Sequence, residues 1–211
     1  MFGAKVEIAA REKGIAVDVV MVSFSQQQGY SPRHPEVLRV NPKRQVPVWI
    51  DGDVELYDST QIFEYLEQRW PTPPLWPATA AERARARLLE HASDEVFFPH
   101  VIRLMGLRAN PDPVDSPEWI EACSAIQAYY GKMERALEQR QYVAGDEYSY
   151  ADIAFFMAQF FAARHTVPMT AVHQSLRVWR ARVAARPAVK PVIVAMAAYL
   201  RSIGYPVPEY G

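Results

Sequence analysis

The stretch of residues 41–69, NPKRQVPVWIDGDVELYDSTQIFEYLEQR, constrains the fold of this chain more than any other. It contains two short apolar runs, residues 46–50 and residues 54–57, separated by the sequence Asp-Gly-Asp. A turn of this composition typically joins two antiparallel strands. The pattern therefore predicts a β-hairpin in the middle of the first half of the chain.

A helix is predicted directly after this hairpin. Asp58 is placed to cap its N-terminus, and Gln61, three residues later, would complete a capping box. The apolar residues that follow have helical spacing, and they are Ile62, Phe63, Tyr65 and Leu66. We therefore expect the order loop, strand, turn, strand and capped helix.

This order of motifs resembles the glutathione-binding domain of the glutathione transferase family. That domain carries an Asn-Pro-x-x-x-Val-Pro loop, a hairpin, and an acidic-Ser pair that opens a helix ending in Tyr-Leu. The corresponding residues here are Asn41-Pro42, Val46-Pro47, Asp58-Ser59 and Tyr65-Leu66. The resemblance implies an α/β plus all-α fold, with a thioredoxin-like N-terminal domain followed by an all-helical C-terminal domain.

The domain organisation follows from a proline-rich segment, residues 71–77, which no helix can cross. We expect a glutathione-binding domain over residues 1–75 and a helical domain over residues 82–211. No strand is predicted in the second domain. Its predicted helices span residues 81–107, 117–139, 150–164, 175–185 and 188–202, with Ser175 as the N-cap of the fourth.

The N-terminal end of the sequence departs from the family pattern. Residues 5–13 predict a helix closed by Gly14, and the β-branched residues 17–24 predict a strand. In the family, a strand and a loop with an activating Ser, Tyr or Cys precede this helix. Here that position falls at Phe2 or earlier, so the thiol-activating residue stays unknown. We expect either a start after the first strand or a protein that lacks this element.

Composition limits the partners and the compartment. The net charge of −1 argues against a nucleic-acid or anionic-membrane partner, because both need a basic surface. The single cysteine, Cys123, cannot form an internal disulfide, and no leader peptide is evident. We therefore expect a cytoplasmic protein, and the resemblance implies a homodimer.

The resemblance also assigns glutathione-binding residues. Pro47 would be a cis-proline, and Val46 would offer its main chain to the cysteinyl part of glutathione. Ser59 and Asp58 would hold the γ-glutamyl carboxylate and ammonium at the helix start, where free N–H groups and the macrodipole favour an anion. Gln45 would contact the glycyl end. Asp58 and Ser59 are also fully explained as ordinary helix-start residues without a ligand.

Two cations, Lys43 and Arg44, precede Gln45 and would meet the glycyl carboxylate. The family loop often has glycine where Arg44 stands. This difference leaves the shape of the loop open.

Other conspicuous residues have structural interpretations. Ser149 and Asp152 form a second capping box, which resembles the folding motif of the family's core helix. His91 and His100 lack metal-ligand spacing, so no metal site is expected. No group near Cys123 in the sequence would lower the pKa of its thiol, so we interpret it as a core residue.

The function implied by the resemblance is a glutathione transferase that activates the glutathione thiol for attack on a small apolar electrophile. The details of the loop and of the segment after the helix look closest to the zeta-like branch, which includes a glutathione-dependent cis–trans isomerase. Two alternatives therefore stay open: such an isomerase, and a non-catalytic protein that uses the transferase fold for binding or as a scaffold.

Overall fold

The computed structural model describes residues 1–25, 29–30, 33–108, 114 and 116–207. The chain forms two compact units, Met1–Pro74 and Leu75–Gly211.

The N-terminal unit combines three helices with two short hairpins. Its elements in chain order are α1 (Phe2–Glu12), β1 (Phe24–Ser25), β2 (Gly29–Tyr30), α2 (Pro35–Val40), β3 (Val48–Asp51), β4 (Val54–Tyr57) and α3 (Ser59–Arg69). β1 pairs with β2 and β3 pairs with β4, both antiparallel, in two separate two-stranded sheets.

Helix α1 ends in the way that its sequence predicts. Gly14 adopts a left-handed conformation with φ of +66°, which costs a glycine little. Its N–H donates to the Arg11 carbonyl (3.1 Å), and the Ile15 N–H donates to the Ala10 carbonyl (2.9 Å). This pair of bonds is a Schellman motif, which satisfies carbonyls at the helix end. The helix begins at Phe2, three residues earlier than expected.

The predicted hairpin is also confirmed. β3 and β4 pair in the register Val48–Tyr57 to Asp51–Val54, so only Gly52 and Asp53 form the turn. One side of the hairpin faces the helices. The residues that pack together there are Val6, Ala10, Ile62 and Leu66, with Trp49 and Leu56 of the hairpin against them.

Lys13 ties the end of α1 to the end of α3. Its buried ammonium lies 2.7 Å from the Glu67 carboxylate and donates to the carbonyls of Trp70 (2.7 Å) and Pro73 (2.9 Å). All three donors of the ammonium are thereby satisfied, which a buried lysine requires.

The strand predicted over residues 17–24 is wrong. Only Phe24 of this run lies in a strand, and Val19, Val20 and Met21 are exposed. A strand requires a neighbouring strand to pair with, and no ladder in the described part of the chain includes residues 17–23. β-branched composition alone therefore did not make this segment a strand.

The second unit is helical, as predicted. Its helices are α4 (Ala80–Ala92), α5 (Phe98–Leu107), α6 (Pro117–Leu137), α7 (Tyr150–Arg164), α8 (Gln174–Ala184) and α9 (Val189–Ser202). The single helix expected over residues 81–107 is divided into α4 and α5 by a π-helical segment, Ser93–Phe97. The Ser93 hydroxyl donates to the Leu89 carbonyl (2.9 Å), a bond that typically bends a helix.

Helix α8 is capped differently from the prediction. Its N-cap is His173, and Ser175 lies inside the helix. The N–H groups of Ser175 and Leu176 donate to the two carboxylate oxygens of Glu134 on α6 (2.9 and 2.8 Å). Burial alone would raise the pKa of Glu134, but these bonds lower it below its ordinary value. A distant carboxylate has replaced the local cap.

The capping box at the start of α7 is confirmed, and it extends into a buried network. Asp152 is fully buried and accepts hydrogen bonds from the Ser149 N–H (2.9 Å) and hydroxyl (3.1 Å). It also accepts from the Val143 N–H (2.9 Å) and from the Trp179 indole (2.8 Å). Burial raises the pKa of Asp152, while these hydrogen bonds oppose the increase.

Aromatic side chains fill the space around this network. Phe155 of α7 stacks on Trp179 of α8 with ring centroids 5.2 Å apart, and it meets Phe97 edge-on at 5.5 Å. α7 is buried on nearly all sides. It is therefore the central helix of this unit.

None of the helices that the structure describes is by itself long and apolar enough to cross a bilayer. Only α8 and α9 together have the length and composition of a membrane-spanning segment, and these two helices are bent by 95° relative to each other.

His165, directly after α7, is a buried titratable group, only 3% exposed. Burial, together with the nearby guanidinium groups of Arg164 and Arg108, lowers its pKa from the ordinary 6.5 to about 3. It is therefore neutral near pH 7.

We expect replacement of Asp152 by alanine to lower the free energy of unfolding by about 3–5 kcal/mol, because four hydrogen-bond donors lose their acceptor. Chemical unfolding of the purified variant measures this loss. Asp146→Ala, an exposed neighbour in the preceding turn, is the control and should change stability by less than about 0.5 kcal/mol. Equal effects of the two changes would contradict the central role of Asp152.

The depressed pKa of His165 predicts a loss of stability in mild acid. Below pH 6.5 the imidazole of His165 binds a proton in the unfolded state but not in the folded state. The free energy of unfolding therefore decreases as the pH is lowered, and the contribution of His165 is complete only above pH 6.5. Between pH 7 and pH 5 this residue accounts for a decrease of about 2 kcal/mol. Unfolding curves at both pH values should show a decrease smaller by that amount in His165→Gln. An identical pH dependence in both proteins would argue against it.

Candidate functional site

The five residues that the sequence assigns to a ligand lie at the open end of the β3–β4 hairpin. Gln45, Val46 and Pro47 lead into β3, and Asp58 and Ser59 follow β4. Because Val48 pairs with Tyr57, the residues just before β3 and just after β4 are neighbours. The structure thus brings the two sequence segments together.

Asp58 is the N-cap of α3, as predicted. Its Oδ1 accepts hydrogen bonds from the Thr60 N–H (3.0 Å) and the Gln61 N–H (3.2 Å). The reciprocal bond expected from the Gln61 side chain is not among the hydrogen bonds of the described residues, so the cap is one-sided. Asp58 itself is exposed, which leaves its second carboxylate oxygen at the surface.

The backbone of Asp58 is strained. Its φ of +74° lies in a region that residues with a Cβ rarely adopt. Such conformations cost about 1–3 kcal/mol and cluster at binding and catalytic sites. The sequence carried no signal of this strain, because aspartate is also an ordinary N-cap.

Ser59 is the first residue of α3 and is buried, with 3% exposure. The N-terminus of a helix carries a partial positive charge and N–H groups without intrahelical acceptors. An anion near Ser59 would therefore be stabilised without a bulky cation.

The loop before β3 has its main chain available. The Val46–Pro47 peptide bond is cis, as the resemblance implied. None of the hydrogen bonds found in the described ranges involves the main chain of Val46, which is half-buried. This main chain can therefore pair with an extended peptide.

Asn41 organises this loop, a role that motif matching did not reveal. It is buried, its side-chain amide donates to the Gln45 carbonyl (2.6 Å), and its side-chain oxygen accepts from the Lys43 N–H (2.9 Å). Between them, Arg44 has a left-handed φ of +56°. Arg44 thus adopts the conformation for which glycine would be preferred, so the loop keeps a tight turn despite the substitution.

Cations near the loop differ in their availability. Arg39 is engaged with the carboxylates of Glu36 and Glu55, which raise its pKa, and Arg39 in turn lowers the pKa of Glu55. Lys43 and Arg44 are exposed and form no ion pair within the described ranges. They are the cations that could approach a ligand carboxylate beside Gln45.

Other candidates gain no support. No group of His, Cys, Asp and Glu residues in the described part of the chain is arranged to hold a metal ion. His91 is exposed and His100 half-buried. Cys123 is half-buried on α6, and burial raises the pKa of its thiol, which disfavours the thiolate.

Comparison with known proteins places this geometry in a family. Residues 1–74 match the model of the glutathione S-transferase N-terminal domain, and residues 92–187 match that of the C-terminal domain. Glutathione S-transferase 2 of Saccharomyces cerevisiae is 30% identical over 204 residues, which cover 91% of this chain and 85% of that protein. This chain belongs to the glutathione S-transferase family.

Further comparisons agree on the fold. A glutathione S-transferase crystal structure from the Antarctic clam Laternula elliptica superposes with a TM-score of 0.79 and 26% identity, over 90% of this chain and 86% of that one. The fold class predicted from the sequence, a thioredoxin-like domain followed by a helical domain, is thereby confirmed.

Two relatives bear on the choice of function. A zeta-class glutathione S-transferase of Euphorbia esula is 28% identical and covers 84% of this chain and 79% of its own. The stringent starvation protein A homolog of Coxiella burnetii is 33% identical, but over 100 residues only, 46% of this chain and 44% of that protein.

Proposed function

We propose that this protein binds glutathione at the open end of the β3–β4 hairpin and activates its thiol for attack on a small apolar electrophile. The observation that carries this proposal is the placement of Asp58 and Ser59 at a helix start beside the loop that holds Val46. Members of the family use glutathione, a tripeptide with two carboxylates, an amine and a thiol. The two carboxylates and the amine each have a chemically suitable counterpart here.

The γ-glutamyl end fits the start of α3. Its carboxylate would meet the positive end of the helix dipole at Ser59. Its ammonium would meet Asp58, whose Oδ1 caps the helix while the rest of the carboxylate is exposed. Asp58 thus serves both as the cap and as the counter-charge.

The rest of the peptide fits the loop. The main chain of Val46 would pair with the cysteinyl part in the manner of an added strand. Gln45, fixed by the buried Asn41, would contact the glycyl end. Lys43 or Arg44 would neutralise the glycyl carboxylate.

Catalysis requires that the bound thiol lose its proton near neutral pH. A hydrogen bond to the sulfur favours the thiolate and lowers its pKa. The thiolate lone pair then forms a carbon–sulfur bond with the electrophile. In a substitution, the electrons of the broken bond leave with the displaced group. In an addition, the π-electron pair of the double bond moves to the neighbouring atom, which then takes up a proton. The family's activating position falls at Phe2 or earlier, and neither Met1 nor Phe2 has a side-chain hydroxyl or thiol. The residue that donates this hydrogen bond is therefore not assigned.

Two alternatives have specific support. The zeta-class relative favours a glutathione-dependent isomerase, in which the thiolate adds to the substrate and leaves again. The Coxiella relative, whose name does not describe a transferase, favours a binding or scaffold protein. A glutathione-binding site is needed for the first alternative and is dispensable for the second.

We expect glutathione to bind saturably in isothermal titration, and Asp58→Asn to raise its Kd about fivefold to tenfold. Asparagine caps a helix as well as aspartate does, so this change removes the charge and keeps the cap. A salt bridge or charged hydrogen bond of about 1–1.4 kcal/mol corresponds to that factor. Ser59→Ala should also weaken binding severalfold.

A matched control uses the same chemical change at the hairpin turn. Asp53→Asn, exposed in the turn between β3 and β4, should leave the Kd unchanged. A glutathione analogue without the γ-glutamyl amine should bind the wild type and Asp58→Asn equally. Absence of glutathione binding by the folded wild type would refute the proposed function and leave the scaffold alternative.

We also propose that the protein is a cytoplasmic homodimer, which its family membership and its single cysteine suggest. Leu88 on α4 and Val96 in the π-helical segment are apolar yet 65% and 54% exposed, and their spacing of eight residues places them near one face. A second copy of the chain would cover them.

The dimer predicts a mass of twice 24.0 kDa in light scattering coupled to gel filtration. Leu88→Glu should shift the population toward the monomer, because it buries a charge in the interface. Val178→Glu, at a comparably exposed valine on α8, is the control and should leave the mass unchanged. A monomeric wild type at micromolar concentration would contradict the proposal.

A further inference from the structure

Basic side chains from two helix ends of the second unit lie close to one another. Arg164 is the last residue of α7, His165 follows it, and Arg108 follows the end of α5. Arg164 is 7% exposed and His165 is 3% exposed, whereas Arg108 is half-buried. The group therefore has both a buried part and a side toward the solvent.

Aromatic rings cover the arginine faces. The Arg164 guanidinium carbon lies 4.5 Å from the ring centroid of Tyr205 and 6.0 Å from that of Phe161. The Arg108 guanidinium carbon lies 5.7 Å from the Trp119 ring centroid. Stacking on rings satisfies the faces of a guanidinium and leaves its in-plane N–H donors for an acceptor.

The donors of this group outnumber its acceptors. The Nε atoms of Arg108 and Arg164 and the Nδ1 atom of His165 are buried and have no hydrogen-bond partner within the described ranges. Arg164 Nη1 lies 3.4 Å from His165 Nε2. Arginine can only donate, so His165 Nε2 accepts and its proton is on Nδ1. All three unpartnered atoms are therefore N–H donors.

No ion pair among the residues that the structure describes includes Arg108 or Arg164. Burying a cation without a counter-charge is costly. Burial lowers the pKa of Arg164 and the nearby Arg108 guanidinium lowers it further, while Tyr205 opposes the decrease. A metal ion would not relieve the cost of burial, because N–H donors cannot coordinate a cation.

We propose that Arg108, Arg164 and His165 form a binding site for the carboxylate of a small organic acid. A carboxylate is planar and accepts two parallel N–H bonds from a guanidinium edge, while its second set of lone pairs accepts from the other donors. Each bound carboxylate group would compensate one guanidinium charge, so a dicarboxylate would compensate both. This site lies in the helical unit and does not depend on glutathione binding.

Neutral His165 adds selectivity to the site. An imidazole Nδ1–H at a buried position contributes a donor without adding a third positive charge to the site. We therefore expect mono- and dicarboxylates to bind and ammonium compounds to be rejected.

Isothermal titration of the full chain with acetate and with succinate, at an ionic strength held constant with sodium chloride, tests the proposal. We expect saturable binding of at least one of them to the wild type. Arg164→Leu should weaken it at least tenfold, and Arg164→Lys should weaken it less, because lysine keeps the charge but not the planar fork. Arg177→Leu, an exposed arginine on α8, is the charge-matched control and should bind like the wild type.

Two further measurements keep the result interpretable. Arg108→Leu alters the half-buried member of the site. If circular dichroism shows that Arg164→Leu is unfolded, carboxylate binding by Arg108→Leu, which should also be weakened, tests the proposal instead. Glutathione titration of each folded variant should give the wild-type Kd, which separates this site from the proposed function. Carboxylate binding no stronger than chloride binding would overturn the proposal. Unchanged binding in both leucine variants would overturn it too.

Discussion

The register of the β3–β4 hairpin is the constraint on which the N-terminal unit depends. A two-residue turn, with Gly52 at a φ of +62°, sets Val48 opposite Tyr57. Side chains alternate between the two faces of a strand, so a slip of one residue would turn Trp49 and Leu56 away from α1 and α3. The same register sets the start of α3 beside the loop before β3. Core packing and the placement of the residues proposed to bind a ligand are therefore two results of one pairing.

The second unit relies on a different device, a buried carboxylate. Asp152 joins the start of α7 to the preceding loop and to Trp179 of α8 through four hydrogen bonds. Glu134 does the same between α6 and α8 on a smaller scale. In both places an acidic side chain accepts from groups at a helix start, where the positive end of the dipole favours it. Apolar packing alone does not fix the direction in which two helices meet. The directional hydrogen bonds of each carboxylate add that constraint.

The two proposed binding sites would recognise carboxylates by different physical means. At the start of α3, backbone N–H groups and the helix dipole would do so, and Asp58 can remain a carboxylate beside them. At the end of α7, guanidinium groups with their faces on aromatic rings would do so. The first arrangement needs no cationic side chain, which would repel the ammonium group of glutathione. The second suits a ligand whose charge is entirely negative.

Local patterns in the sequence were sufficient for the hairpin, the α1 C-cap, the Asp58 N-cap and the Ser149–Asp152 capping box. These features depend on residues within a few positions of one another, so composition and spacing determine them. The order of the motifs was also enough to predict the fold class and the five candidate ligand residues.

Tertiary structure decided the features that need a distant partner. Residues 17–23 have strand composition but no ladder in the described part of the chain, and α8 is capped by Glu134 from another helix. Asn41 holds the loop before β3 through a hydrogen bond to the Gln45 carbonyl, which no helix or strand pattern predicts. Arg108 and Arg164 lie close together although they are far apart in the sequence. Hydrogen bonds and charges act over a few ångströms in space. A linear pattern therefore predicts them only when both partners are close along the chain.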